Sequence, residues 1–215
     1  LAQAYGIQES ISSGLGAIGG WRICQAGSQA KRACAPLPLA SLRPEPARLV
    51  IGEAASVRLK AGICFRVGRS LADYDAPYTR EQVLAAIASC HPAVDVLQPP
   101  IAALEGDLPS VADGCAHDQL VYGRPTPAWW EVNISQIPVS IFQGGRRTFS
   151  VVTGPAEDAV SLLQWLANQG TRWSGGLMVS QLATIDLATP EIVIRPDQPA
   201  RIVLGWLGAI TLRFA

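Results

Sequence analysis

The two histidines are the residues of this chain best suited to proton transfer. His117 lies between Asp113 and Asp118, a spacing that would suit a carboxylate–histidine pair. No G-x-S-x-G nucleophile motif accompanies it, so we expect a structural role. His91 is followed by Pro92 at the predicted end of a helix, and we interpret it as structural too.

Five cysteines could supply nucleophiles, metal ligands or disulfides. They are an odd number, widely spaced, and never form a C-x-x-C pair, so the spacing indicates neither a zinc site nor a disulfide framework. Free cysteine is among the most buried residue types. We therefore predict reduced, buried thiols in a cytoplasmic protein. The cysteines are Cys24, Cys34, Cys64, Cys90 and Cys115.

The composition is that of a globular protein with no preference for polyanions. The 215 residues are 49% hydrophobic, and 17 basic side chains balance 17 acidic ones. With zero net charge, the chain has no excess of Lys and Arg to bind the phosphates of nucleic acid. Its high apolar content excludes intrinsic disorder. No apolar run reaches the roughly 18 residues that a membrane span needs. The chain begins with Leu1 and shows no leader, so we expect its natural start to lie upstream.

The elements that must position these residues are short strands with a few helices between them, the pattern of an α+β, β-rich domain. Helices are expected over 1–14, 81–89 and 155–169. Thr79 and Gln82 predict a capping box at the start of the second helix. Strands are expected over 48–51, 55–67, 93–97, 132–142, 147–152, 177–179, 191–194, 202–206 and 209–214. Gly144 and Gly145 predict a hairpin turn, and the prolines of 27–46 predict an irregular connection.

Six segments, in this order and with similar separations, resemble one family. They are 4–8 (AYGIQ), 20–24 (GWRIC), 78–87 (YTREQVLAAI), 91–96 (HPAVDV), 111–116 (VADGCA) and 159–168 (AVSLLQWLAN). The family is the 2-keto-4-pentenoate hydratase and 4-oxalocrotonate decarboxylase branch of the fumarylacetoacetate hydrolase superfamily. The resemblance implies a mixed β-roll with flanking helices, usually oligomeric. It covers 1–215 as a single domain, with the family's first helix or so missing before residue 1.

By this resemblance, the chemistry would depend on Mg²⁺ or Mn²⁺. In the family the metal chelates the keto oxygen and carboxylate of a 2-oxo acid, and it stabilises the enolate formed during hydration or decarboxylation. Hard cations of this kind take oxygen ligands. The family supplies three acidic residues, a Glu-x-Glu pair on a strand and a Glu that follows a His-Pro-Ala segment.

The residues of this chain depart from that pattern. The Glu-x-Glu pair aligns with Lys60-Ala61-Gly62, and only the third position stays acidic, as Asp95. Arg22 takes the place of a family lysine. Ser180 and Gln181 end the segment aligned with the motif that helps to hold the substrate carboxylate, so both are candidate ligand-binding residues. One carboxylate beside an ammonium does not hold Mg²⁺. The sequence thus predicts neither a metal nor another cofactor.

Two interpretations of Lys60, Arg22 and Asp95 stay open. In the first, Lys60 and Asp95 form a structural ion pair in which the lysine replaces the charge of the metal. The protein would then be a non-catalytic or ligand-binding subunit that assembles with itself or with an active paralogue. In the second, Lys60 and Arg22 grip a small 2-oxo acid and stabilise its enolate directly, as a metal-independent hydratase or decarboxylase. A third possibility is an enzyme that acts on an unrelated anionic substrate. None of these interpretations involves nucleic acid or a membrane.

Overall fold

Strands dominate the computed structural model of this chain, which describes residues 5–8, 10, 14, 16–26, 31–51, 56–72, 77–98 and 114–215. The strands are β1 (Ile18–Ala26), β2 (Lys31–Pro38), β3 (Leu42–Pro44), β4 (Ala47–Leu49), β5 (Val57–Val67), β6 (Leu71–Ala72), β7 (Ile87–Leu97), β8 (His117–Tyr122), β9 (Ile137–Gln143), β10 (Arg146–Thr153), β11 (Gly176–Leu177), β12 (Leu182–Asp186), β13 (Ile192–Ile194), β14 (Ala200–Leu204) and β15 (Ala209–Phe214). The helices are α1 (Arg80–Ala86) and α2 (Ala159–Trp165). A π-helical turn over Leu166–Gly170 continues α2, and residues 5–8 are helical.

Most of these strands belong to two sheets. The eight-stranded sheet has the order β2-β1-β12-β5-β7-β8-β3, with β13 also paired to β5. The five-stranded sheet has the order β10-β9-β14-β15-β4. Within the large sheet, β1 runs parallel to β12, and β5 runs antiparallel to both β12 and β7. The β-rich α+β class predicted from the sequence is confirmed.

The main hydrophobic core lies against one face of β5. Leu59, Ala61, Ile63 and Phe65 alternate along this strand and are all buried in that core, as the period-two spacing predicts. Leu163 of α2 packs into the same core. Burial of a leucine, isoleucine or phenylalanine side chain contributes about 1.5–3 kcal/mol to the stability of the fold. The intervening residues of β5 leave the sheet on its other face, where the polar site is found.

Both α-helices begin at a side-chain cap. Thr79 and Gln82 form the predicted capping box of α1, and the carboxylate of Asp158 accepts a hydrogen bond from the Ser161 N–H at the start of α2. Arg80 bonds the same carboxylate at 2.5 Å, which ties the two helix starts together. No helix among the described residues is long and apolar enough to cross a membrane.

Two sequence predictions about these elements are wrong in part. The helix predicted over 81–89 ends at Ala86, and His91 and Pro92 lie inside β7 rather than after a helix. Pairing of β7 with β5 along most of its length decides the outcome, because tertiary contacts override weak local preferences.

The irregular connection predicted over 27–46 is also wrong for its described part. Residues 31–38 form β2 and 42–44 form β3, with a short 3₁₀ turn between them. β2 is an edge strand that pairs with β1. Edge strands accept proline, because the side that faces away from the sheet needs no hydrogen-bond donor. Pro36 and Pro38 therefore do not exclude a strand.

Candidate functional site

A cavity of about 410 Å³ opens beside β1, β5 and β12. Arg22, Lys60, Glu157 and Asp186 are its charged lining residues, and aliphatic side chains supply much of the remaining wall. Its volume lies within the range of small-molecule sites, which combine apolar walls with a few polar groups. The cavity is therefore our candidate functional site.

Strand pairing brings the three charged residues of the sheet together. Asp186 lies opposite Gly62, two residues from Lys60 on β5. Arg22 lies opposite Thr184, two residues from Asp186 on β12. Residues two apart on a strand share a face, as do residues directly opposite across a pair. Arg22, Lys60 and Asp186 therefore project from the same face of the large sheet.

Arg22 is enclosed by two carboxylates. Its Nη1 lies 2.6 Å from Asp95 Oδ2 and donates to the Cys115 carbonyl oxygen at 2.7 Å, while its Nη2 lies 2.8 Å from Asp186 Oδ2. Burial alone would lower the pKa of Arg22, but Asp95 and Asp186 outweigh burial and raise that pKa above its ordinary value. Arg22 is thus an internal cation whose charge is offset by its neighbours.

The predicted ion pair between Lys60 and Asp95 is wrong. The two residues lie directly opposite each other on β5 and β7, but Asp95 takes Arg22 as its cationic partner. The planar guanidinium can bond two carboxylates and a carbonyl at once, which an ammonium does less well. Lys60 Nζ instead donates to the Thr189 carbonyl oxygen at 2.6 Å. None of the ion pairs within the described residues includes Lys60.

His117 extends this polar cluster away from the cavity. Its Nδ1 lies 2.7 Å from Asp95 Oδ1, and its Nε2 lies 2.8 Å from Ser41 Oγ. The partner of His117 is therefore Asp95 rather than the Asp118 considered from the sequence, while Asp113 lies outside the described residues. Ser41 Oγ also donates to a backbone carbonyl at 2.8 Å and does not line the cavity. Ser41, His117 and Asp95 are therefore bonded in series, and the structural role expected for His117 stays a prediction.

The other histidine, His91, lies inside β7. It is buried, with Nε2 2.9 Å from Ser89 Oγ and Nδ1 2.8 Å from the Gly123 carbonyl oxygen. Both ring nitrogens therefore have partners within the fold. Burial lowers the pKa of His91 below its ordinary value, which favours the neutral ring.

The described side chains at the cavity do not form a donor set for a divalent cation. Asp95 and Asp186 both form ion pairs with Arg22. At position 62, a Cβ atom would lie 2.9 Å from the Ile185 carbonyl oxygen, so β5 and β12 are too close for any side chain there. Among the described residues, no group of three His, Cys, Asp or Glu side chains is arranged to hold a metal ion. Lys60 adds positive charge where a dication would need negative oxygen atoms.

A disulfide forms part of the cavity wall. Cys24 and Cys115 are bonded to each other and both line the cavity. The prediction of reduced, buried thiols is wrong for this pair, because cysteine spacing along a chain does not reveal contacts across 91 residues. Cys34, Cys64 and Cys90 are free and buried, as predicted. Burial raises the pKa of the Cys34 and Cys90 thiols to about 12.

Ser180 and Gln181 lie outside the lining of the cavity. Gln181 Nε2 donates to the Ile18 carbonyl oxygen at 3.1 Å, and its Oε1 accepts from Trp21 Nε1 at 3.1 Å and from the Met178 N–H at 3.0 Å. Gln181 thus joins β1 to the segment before β12. The ligand-binding role of this pair stays a prediction.

Solved structures share this architecture. 4-Oxalocrotonate decarboxylase from Pseudomonas putida G7, solved with magnesium and adipate, gives a TM-score of 0.78 at 17% identity, over 100% of this chain and 86% of that one. A Yersinia pestis CO92 protein assigned to the fumarylacetoacetate hydrolase family gives 0.65 at 13% identity, over 91% and 92%. This chain has the fumarylacetoacetate hydrolase-like fold. The resemblance found in the sequence is therefore confirmed for the fold.

More distant members of this fold include fumarylpyruvate hydrolase from Pseudomonas aeruginosa, solved with Mn²⁺ and pyruvate. It gives a TM-score of 0.55 at 9% identity, over 91% of this chain and 88% of that one. No family model and no curated protein sequence matches the chain. At identities this low, the similarity shows a shared fold only. The activity of this chain has to be inferred from the residues of its site.

Proposed function

We propose that this protein binds a small organic acid of the 2-oxo acid class in the cavity beside Lys60, without a divalent metal. On this proposal it is a cytoplasmic ligand-binding or assembly subunit rather than a metal-dependent lyase. One observation carries it. Arg22 is held between Asp95 and Asp186, whereas Lys60 lines the cavity without a carboxylate partner among the described residues.

The charge on Lys60 favours an anionic ligand. At a separation of about 4 Å and an effective dielectric constant of about 20, two opposite unit charges attract by about 4 kcal/mol before desolvation is counted. The aliphatic walls suit a short carbon chain next to the carboxylate. Neighbours with the same fold were solved with adipate and with pyruvate, both small organic acids. These observations together support a small carboxylic acid as the ligand class.

Arg22 argues against the metal-independent lyase in the form predicted from the sequence. That hypothesis needs Arg22 to hold the ligand carboxylate or stabilise an enolate oxygen. Its guanidinium already donates hydrogen bonds to Asp186 and to the Cys115 carbonyl oxygen, and it forms an ion pair with Asp95 at 2.6 Å. A ligand oxyanion would have to compete with two carboxylates for the same cation. We therefore assign Arg22 a structural role in the cluster.

Calorimetric titration with pyruvate tests the binding proposal. Protein dialysed against EDTA should bind pyruvate, and Lys60→Met should weaken binding by about tenfold or more, equivalent to at least about 1.4 kcal/mol. Lys31→Met is the matched control, since it removes the other lysine of the chain, and it should leave the affinity unchanged. Binding that appears only with added Mg²⁺ or Mn²⁺, or that survives Lys60→Met, would overturn the proposal.

The assembly role has a separate test. Native mass spectrometry of the protein isolated from its own source should show an oligomer, either of this chain alone or with a related subunit. A monomer at cellular concentration would remove the assembly role and leave the ligand-binding role to the titration.

A further inference from the structure

We propose that Lys60 forms a covalent imine with the carbonyl group of a small carbonyl acid in this cavity. The inference rests on the proposed binding of a small organic acid and adds how that acid is held. A lysine would then supply, by a covalent bond, the polarisation of a carbonyl group that a bound dication supplies by coordination.

Lysine is scarce in this chain. Two of the seventeen basic residues are lysines, Lys31 and Lys60, and the others are arginines. In the described residues, each strong cation that pairs with a carboxylate is an arginine. An arginine would equally serve to attract a carboxylate, but its guanidinium stays protonated and is not a nucleophile. A lysine in the cavity can therefore supply a nucleophilic amine, which the arginines of this protein cannot.

The position of Lys60 suits a nucleophile. It projects from the interior of β5, a strand paired on both sides with β12, β13 and β7, so its backbone is fixed. The bond from Nζ to the Thr189 carbonyl oxygen, at 2.6 Å, orients the amine and uses one of its N–H groups. The aliphatic side chains of Ile23, Leu162 and Leu187 line the same cavity and give a bound acid apolar surface next to Nζ.

The reaction is a condensation that needs no oxidant or reductant. The Lys60 ammonium gives one proton to solvent, and Nζ then forms a bond to the carbonyl carbon, giving a carbinolamine. The carbonyl oxygen then leaves as water with one proton from the nitrogen and one from solvent. The product is a protonated C=N bond between Nζ and the former carbonyl carbon, and adding water reverses it. The carboxylate of the acid stays in the cavity beside the new positive charge.

Reductive trapping tests this proposal on the intact protein. Pyruvate is added with cyanoborohydride, which delivers hydride to the imine carbon and fixes the adduct. Intact mass spectrometry should show one addition of pyruvate less an oxygen atom, and peptide mapping should place it on Lys60. Excess propionate, which has the carboxylate but no ketone, should compete and reduce the trapped fraction.

Lys60→Arg and Lys31→Arg separate the possible results. Lys60→Arg keeps the charge and should lose the adduct, whereas Lys31→Arg should keep it. Pyruvate binding to the wild type without an adduct would overturn the imine and leave the proposed function standing. An adduct found only on Lys31 or on the terminal amine would overturn it too. Absence of both binding and adduct would overturn both proposals.

Discussion

Replacing Arg22 with methionine tests whether the guanidinium holds the polar cluster together. The change removes a side chain that is 5% exposed and leaves Asp95, 2% exposed, with a hydrogen bond to His117. Breaking a buried ion pair costs about 3–5 kcal/mol, because the other charge is left uncompensated. Asp186 is 24% exposed, so water partly replaces its lost partner. We therefore expect the free energy of unfolding to fall by about 3 kcal/mol.

Urea unfolding followed by tryptophan fluorescence gives the measurement, since the chain has six tryptophans. With a denaturant slope of about 2–3 kcal/mol per molar urea, the midpoint should fall by about 1–1.5 M. Arg80→Met is the matched control, because it breaks an exposed pair with Asp158. Exposed pairs contribute about 0–1 kcal/mol, so its midpoint should fall by no more than about 0.5 M.

Equal small shifts in the two variants would refute this reasoning. A second comparison separates charge from packing. Adding Asp95→Asn to Arg22→Met removes the carboxylate charge left without its partner, so part of the lost free energy of unfolding should be recovered. The coupling energy between the two substitutions should be about 0.5–3 kcal/mol. If the double variant unfolds at the same urea concentration as Arg22→Met alone, lost packing rather than an uncompensated carboxylate explains the destabilisation.

Three further outcomes are expected. Gly62→Ala should lower the free energy of unfolding by about 1–3 kcal/mol, because its Cβ would meet the Ile185 carbonyl oxygen; urea unfolding measures it. Ellman's reagent should find three thiols in the unfolded, unreduced protein and five after reduction, and the native protein should react slowly because burial raises the pKa of Cys34 and Cys90 to about 12. The Arg80 guanidinium helps to lower the pKa of Asp158 from 3.8 to about 2. The contribution of ionised Asp158 to the free energy of unfolding should thus be complete above about pH 4 and lost as the pH falls towards 2. Comparing the unfolding of Asp158→Asn with that of the wild type across this range measures it.

Each of these has a contrary outcome. Gly6→Ala is the control for Gly62→Ala, since no atom of the described residues lies within 4 Å of its Cβ position, and equal effects would contradict the predicted clash. Five reactive thiols before reduction would rule out the bond between Cys24 and Cys115. A difference between Asp158→Asn and wild type that stays constant from pH 4 to pH 2 would contradict the lowered pKa.

Features set by neighbouring residues could be predicted from the sequence. The alternation in β5 fixes one buried face, the capping box needs only Thr79 and Gln82, and the hairpin turn needs two residues with positive φ, Gly144 and Gly145. Each follows from the backbone preferences of adjacent residues. The end of α1 could not be predicted in this way, because β7 begins where pairing with β5 starts.

Some residues of the candidate site could be predicted from the sequence. The family resemblance singled out Arg22, Lys60 and Asp95, and the structure places Arg22 against Asp95 and in the same cavity lining as Lys60. Asp186 was missed, because its distance to Arg22 depends on the parallel pairing of β1 with β12. The run Leu-Ala-Thr-Ile before Asp186, with its two β-branched residues, was the signal for that strand.

The prolines of the outer strands limit how this protein can associate with copies of itself. The eight-stranded sheet ends in β2 on one side, with Pro36 and Pro38, and in the three-residue β3 on the other, which ends at Pro44. Short strands and prolines at sheet borders prevent a foreign strand from continuing the hydrogen-bond ladder. Addition of a further strand is therefore disfavoured at both described borders of the sheet that carries the cavity.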